Sequence, residues 1–339
     1  MLHGVAMSGL LSTVRAQPTA VETLRRALAG ERVHHAYLFD GPDGVGKELA
    51  AFGLAQALVC ERRKTGEAAG CSACSACSRA VPRAGETRPL HPDVIVLERG
   101  LYDASSIGRT SPETQDLSIH QVRSLVLARS AFAPHEGRAK VFIVRRADEL
   151  STQAANALLK TLEEPGARTH FVLLTSMPDL LLPTIRSRTL RVRFGPLPDA
   201  VVTELLVARG TAQDLATKIA HLAGGSMANA NALADPEASA RREQFVSRAV
   251  AALEDDDAGA ALDLAAEAKQ LEKDALAVQL QALAVALGAQ ARETAGAADS
   301  RADVAAARHS LAHAAIQQLE GNASSQLAVE AMLLKMRAL

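Results

Sequence analysis

Tryptophan is absent from this 339-residue chain and aromatic residues make up only 3% of it, so its core must rest on Ala, Leu and Val. An excess of one charge is missing too, with 37 Lys and Arg against 38 Asp and Glu. Such a balance creates no broad field to draw the molecule onto nucleic acid or an anionic membrane, and any contact of that kind must be local. No run of about eighteen apolar residues occurs. Met1–Ala20 lacks the unbroken apolar stretch of a secretory signal. A cytoplasmic protein without membrane contact is therefore expected. Cysteines number only four, and in a reducing compartment they point away from disulfides.

The length suffices for two or three domains, each with its own core. Short apolar runs recur at Ala36–Phe39, Asp93–Leu97, Val141–Val144, Phe171–Leu174 and Leu190–Phe194, and they read as buried strands. Helical patterns lie between them. Lys47–Val59 sets Leu49, Phe52, Ala55 and Val59 on one face, Ser118–Ala131 carries Ile119, Val122 and Val126, and Ser151–Glu164 is stopped by Pro165. Alternating strand and helix predict an α/β fold with a mostly parallel, doubly wound sheet. Gly195-Pro196-Leu197-Pro198 ends the alternation, and a short helical region follows as far as Gly224-Gly225-Ser226. Past Pro236 the chain is rich in Ala and Leu and helical in period, which reads as an all-α bundle. The expected domains are a core at 1–194 with a cysteine insertion at 60–77, a small helical domain at 195–236 and a helical domain at 237–339. The acidic run Glu254–Asp257 reads as a solvated turn.

Gly41-Pro42-Asp43-Gly44-Val45-Gly46-Lys47 lies between a predicted strand and a predicted helix, as the phosphate-loop motif requires. Gly41, Gly44 and Gly46 allow backbone N–H groups to cradle phosphate, while Lys47 can neutralise its outer oxygens. The next position calls for the Ser or Thr that holds Mg²⁺, and Glu48 stands there. A hydrolytic phosphate-loop protein also follows its Val141–Val144 strand with Asp and Glu, and this chain has Arg145 and Arg146. Asp148-Glu149 reads as first-turn acid for the next helix rather than as a displaced metal pair. Nucleotide binding is compatible with the loop, but ATP hydrolysis is not expected of it.

Cys60, Cys71, Cys74 and Cys77 have the spacing C-x10-C-x2-C-x2-C. Four thiolates so spaced can close a tetrahedral Zn²⁺ site with no open position, so a structural role is expected. No strand precedes the pairs as a thioredoxin-like redox site would need. Only Arg79 and Arg83 lie close behind the module, too few to read nucleic acid directly.

His34-His35-Ala36-Tyr37-Leu38-Phe39 leads into the loop, and the cysteine module and His91-Pro92-Asp93 follow it. Together with Ala155–Pro165, which ends Thr-Leu-Glu-Glu-Pro, and Ile185-Arg186-Ser187-Arg188, they resemble the bacterial clamp-loader subunits of the AAA+ class over most of residues 15–230. The resemblance implies an AAA+ core, a lid and a C-terminal collar in a ring with gamma/tau and delta subunits. Such a ring loads the sliding clamp onto primer-template DNA within DNA polymerase III. Glu48, Arg145-Arg146 and the Ala228 found where the lid of gamma/tau subunits has Arg set the chain with the delta-prime branch. So does the closing helix expected at Asn322–Leu334, without the long tail of tau. The alternative within the family is an active gamma/tau-type ATPase. A different class, a zinc-dependent nucleic-acid-binding module on the same fold, would bind DNA alone with a steep salt slope. Ser187-Arg188 matches the family's Ser-Arg-Cys motif, with Thr189 for the cysteine, and implies that Arg188 is an arginine finger acting in trans. Without the resemblance, Arg188 reads as a local cap or ion pair. Thr175 and Ser176 occupy the family's polar sensor position.

Overall fold

The computed structural model describes residues 9–113, 116–136, 138–255, 257–271, 273–294, 300–320 and 323–339. Part of the amino-terminal stretch (1–8), Asp256 of the acidic run and Asn322 of the expected last helix lie outside the described residues. The chain divides into two compact units, Met1–Ala228 and Asn229–Leu339.

In the first unit five parallel strands form one sheet: β1 (Ala36–Asp40), β2 (Val94–Leu97), β3 (Lys140–Val144), β4 (Thr169–Thr175) and β5 (Leu190–Arg193), in the order β2-β3-β4-β1-β5. Every residue of β1, β2 and β3 is buried, which is why these strands are continuous apolar runs rather than alternating ones. Lys140 is buried at the start of β3 because its ammonium donates to the carbonyls of Arg129 (2.6 Å) and Phe132 (3.0 Å). Leu97, Val126, Phe142, Leu158, Phe171 and Ile185 pack in one cluster of this core.

The helix Lys47–Val59 has the predicted limits, but burial surrounds it from Ala50 to Val59 instead of following one face. The 3-10 turn Leu10–Thr13 covers part of it, and a Cβ on Gly53 would meet Leu11 at 2.8 Å. The predicted helix over 118–131 contains a π turn, Val122–Leu127, between short α segments. Ser151 caps the helix Thr152–Glu163 by accepting the Ala154 amide at 3.2 Å. After β5 no strand occurs among the described residues, and helices Asp199–Val207 and Gln213–Leu222 follow.

The second unit is helical. It comprises Pro236–Glu254, Gly259–Ala268, Lys273–Thr294, Ser300–Glu320 and Ser325–Arg337, after a helix Met227–Ala234 that runs across the division. Its core joins Leu276, Leu280, Leu283, Val329, Leu333 and Met336 to small alanines, and Phe245 is the one aromatic in that cluster. The acidic run lies where one helix ends at Glu254 and the next begins at Gly259. No described helix is long and apolar enough to cross a membrane.

Burial holds the imidazoles of His170, His91 and His35 below the ordinary histidine range. His170 in β4 lies with Nδ1 3.1 Å from the His34 carbonyl, an acceptor, so the tautomer that donates from Nδ1 makes this hydrogen bond. With a folded pKa below the unfolded value of about 6.5, the unfolded chain takes up protons first as pH falls. Stability should therefore be full above about pH 6.5 and decline below it, and His170→Gln should shrink the decline in melting temperature followed from about pH 7.5 to 5.5.

Candidate functional site

The glycine loop leaves the carboxyl end of β1, the sheet edge where open α/β folds bind ligands. Gly41 (φ +148°) has no room for a side chain, since a Cβ would lie 2.1 Å from the Phe194 carbonyl oxygen. Gly44 (φ +75°) is equally constrained, with the Ala228 amide nitrogen 2.2 Å from that position. Gly46 (φ +102°) turns the chain into the helix that opens at Lys47. The buried Lys47 ammonium donates to the carbonyl oxygens of Gly41 and Pro42 (2.7 Å) and lies 3.2 Å from Asp43 Oδ1. Burial pulls its pKa below the usual lysine range, while Asp43, Asp148 and Asp40 work against that shift. The Ser226 hydroxyl donates to the Asp43 carbonyl at 2.6 Å, so the loop is also held from the far end of this unit.

The two anomalies that flank this loop are one interaction. Arg145, at the exit of β3, pairs with Glu48 on the helix opened by Lys47, and its other fork nitrogen lies 2.7 Å from Glu98 Oε2. Burial opposes the Arg145 charge, but Glu48 and Glu98 more than offset it and raise its pKa. The sequence shows two departures from a metal-holding site; it does not show that they neutralise each other. Asp148 is in a 3-10 turn, Ala147–Glu149, before the next helix rather than in that helix's first turn. Its carboxylate accepts the Thr175 hydroxyl, while Glu149 pairs with Arg99 (3.0 Å) and Arg146 (3.1 Å).

The sulfurs of Cys60, Cys71, Cys74 and Cys77 lie within 4.8 Å of one another. Thiolates about 2.3 Å from a tetrahedral ion stand roughly 3.8 Å apart, and the Cys71–Cys77 and Cys60–Cys74 pairs are at 3.9 and 4.0 Å. The described geometry thus fits a metal ion. Successive amides of Cys71, Cys74 and Cys77 donate to the preceding cysteine sulfur at 3.3, 3.3 and 3.4 Å. Burial opposes ionisation of Cys71, but amides of Ala73 and Cys74 and hydrogen bonds from neighbouring thiols bring it to about 6. Burial pushes Cys77 up. The cluster is tied to the core by Gln56, which donates to the Cys77 carbonyl at 3.3 Å and accepts the Leu10 amide at 3.1 Å. Arg79 forks onto Glu136 at 2.8 and 2.6 Å, and Glu136 lies 3.3 Å from the buried His91 Nε2. Asp93 accepts the amides of His135 and Glu136 at 2.7 and 2.8 Å, which accounts for the Asp of the His-Pro-Asp sequence.

Arg188 sits at the opposite edge of the sheet. Two residues later β5 begins at Leu190, paired with Tyr37, whereas its last residue, Arg193, pairs with Asp40 beside the loop. The strand alone separates these edges by about 10 Å, from three rises of about 3.3 Å, so Arg188 and the glycine loop face different neighbourhoods. Arg188 Nε donates to Glu163 at 2.7 Å, a second fork nitrogen meets the same oxygen, and Nη1 donates to the Thr184 carbonyl at 3.0 Å and Ser187 Oγ at 3.3 Å. Arg188, Glu163, Ser187, His34 and His35 line a cavity of about 320 Å³. Arg186 instead pairs with Asp179 at 2.6 Å.

A buried parallel sheet, a strand–glycine-loop–helix unit and a four-cysteine insertion define a phosphate-loop type of α/β protein. A family model described as "DNA polymerase III, delta subunit" matches residues 16–198, more than half of the chain, and the chain belongs to that family. It is 35% identical over 231 residues to the DNA polymerase III subunit delta' of Pseudomonas aeruginosa, covering 66% of this chain and 63% of that protein. It is 30% identical over 208 residues to subunit delta' of Bacillus subtilis (61% and 56%) and 38% identical over 180 residues to subunit gamma/tau of Mycobacterium tuberculosis (53% and 28%). The matched part thus spans less than two thirds of each of these relatives. A solved gamma subunit-related protein of Thermotoga maritima shares the fold at TM-score 0.51 and 18% identity, covering 94% of this chain and 98% of that one.

If Arg145 and Glu48 act as one unit, their effects on stability should not add. A double-mutant cycle with Glu48→Ala and Arg145→Ala, read by urea unfolding, should give a coupling of about 1 kcal/mol, with Glu48 half-exposed limiting the value. Additive effects would dissolve the pair.

Proposed function

We propose that the chain is an AAA+ subunit of the bacterial clamp loader of DNA polymerase III, of the delta-prime type, which does not hydrolyse ATP itself. Its site residues in this reading are the degenerate phosphate loop (Gly41, Gly44, Gly46, Lys47), the structural zinc ligands (Cys60, Cys71, Cys74, Cys77) and Arg188, an arginine finger for a neighbouring ATPase subunit. Residues 1–194 form the AAA+ core, 195–236 the lid and 237–339 the collar that joins gamma/tau and delta subunits. Through that ring the chain helps to place the sliding clamp on primer-template DNA.

One observation carries the proposal: Arg145 pairs with Glu48 where a hydrolysing phosphate-loop enzyme has a hydroxyl and a carboxylate facing a divalent cation. A guanidinium with its charge already neutralised supplies neither coordination nor the excess positive charge that phosphoryl transfer needs. Arg188, at the other edge of the sheet and accessible beside an open cavity, would serve phosphates bound by another chain rather than those at this loop. A planar, permanently charged donor suits that task. Identity to gamma/tau subunits favours an active motor as the second reading, and the Arg145–Glu48 pair counts against it.

Zinc would be held by the four thiolates alone, fixing an insertion too polar to fold by burial. One zinc per chain is expected by native mass spectrometry, and Cys74→Ser should release it and lower the melting temperature. The purified chain alone should show no ATP turnover above background. In a loader reconstituted with gamma/tau and delta subunits, Arg188→Ala should depress DNA-stimulated ATP turnover at least about tenfold while the complex keeps its mass. Unchanged turnover would remove Arg188 from the role.

A further inference from the structure

Each nitrogen of the Arg188 guanidinium already has a partner within the chain. Its Nε and one terminal nitrogen meet Glu163 Oε1, and the other terminal nitrogen is shared between the Thr184 carbonyl and Ser187 Oγ. Glu163 lies 25 residues earlier, at the end of the helix Thr152–Glu163. Its carboxylate offers a planar anionic acceptor of the same kind that a phosphate presents. Both side chains are accessible, at 35% for Arg188 and 48% for Glu163, and both line the same open cavity. The contact can therefore exchange with an incoming anion without unpacking the core.

We infer that Glu163 is a holding carboxylate for Arg188, occupying the guanidinium until the terminal phosphate of a nucleotide on a neighbouring chain displaces it. This rests on the reading of Arg188 as an arginine finger. A phosphate carries more negative charge than one carboxylate and takes the fork bidentately, so it wins the exchange once it is within reach. An exposed ion pair is weak enough to yield, and it is strong enough to keep the arginine occupied for most of the time: a contribution at the upper end of the exposed range corresponds to about a fivefold bias toward the held state. The carboxylate sets how often the arginine is released, while phosphate and neighbour set what it does afterwards.

The test is a reconstituted loader carrying wild-type chain, Glu163→Gln, Arg188→Ala or both substitutions. Glutamine keeps the shape and loses the charge. Glu163→Gln should raise ATP turnover without DNA by roughly three- to fivefold and leave the DNA-stimulated rate nearly unchanged, because there the arginine is already engaged. The double variant should behave like Arg188→Ala. In the isolated chain, the Arg188 Nε–H resonance should lose its protection from exchange in Glu163→Gln while the melting temperature stays within about 2 °C, as expected for an exposed pair. Basal turnover that is unchanged or lower in Glu163→Gln, with Arg188→Ala still defective, overturns the holding role and leaves the finger standing. Full DNA-stimulated turnover in Arg188→Ala overturns both.

Discussion

In a sheet whose strands all run one way, every strand enters at one edge and leaves at the other, and this polarity decides what each end of the core can do. At the exit edge stand the glycine loop after β1, Arg145 after β3, Thr175 at the end of β4 and Phe194 after β5. At the entry edge stand His34, His35 and, two residues before β5, Arg188. One core thus presents a would-be phosphate pocket on one side and a guanidinium on the other, and no side-chain rotation brings the two together. In the proposed ring, the entry edge of one core would face the exit edge of the next.

At the exit edge the electrostatics are closed within the chain. Lys47 contacts Asp43, with Asp148 and Asp40 also favouring its charged form, and Arg145 pairs with Glu48 and Glu98. A triphosphate needs surplus positive charge at this place, and a hydrolysing enzyme brings it as a divalent cation. Here each of the two cations already faces more than one carboxylate. Ser226 on the Asp43 carbonyl and the close approach of the Ala228 amide to Gly44 further fix the loop as part of the packing of its unit.

Much of this was legible beforehand, for physical reasons. Strands buried on both faces must be apolar throughout, so β1, β2 and β3 stand out without any need for alternation. The loop glycines announce themselves because a positive φ and backbone contact at Gly41 and Gly44 leave no alternative residue. Four cysteines at short spacing can hardly avoid meeting. What stayed hidden depends on distance along the chain. Glu48 and Arg145 are 97 residues apart, and each alone looks like a lost function rather than half of a bond. The all-round burial of Ala50–Val59 depends on Leu11 and the cysteine module, which periodicity within the helix cannot reveal. Nor does any local pattern show that Glu163 holds Arg188.

Two arginines in this core each grip a carboxylate, and burial gives the grips different meanings. Arg145 retains 13% of its side-chain exposure, so removing its partners would strand a charge in a poorly solvated site; losses of that kind reach about 3–5 kcal/mol for fully buried pairs. Arg188 is nearly three times as accessible, and exposed pairs contribute about 0–1 kcal/mol, a bias that thermal motion and a competing anion overcome. A contact meant to be permanent and one meant to be exchanged need no difference in chemical type, only a difference in how much water can reach them. The pair at the exit edge is buried enough to stay closed, and the pair at the entry edge is accessible enough to exchange with an incoming anion.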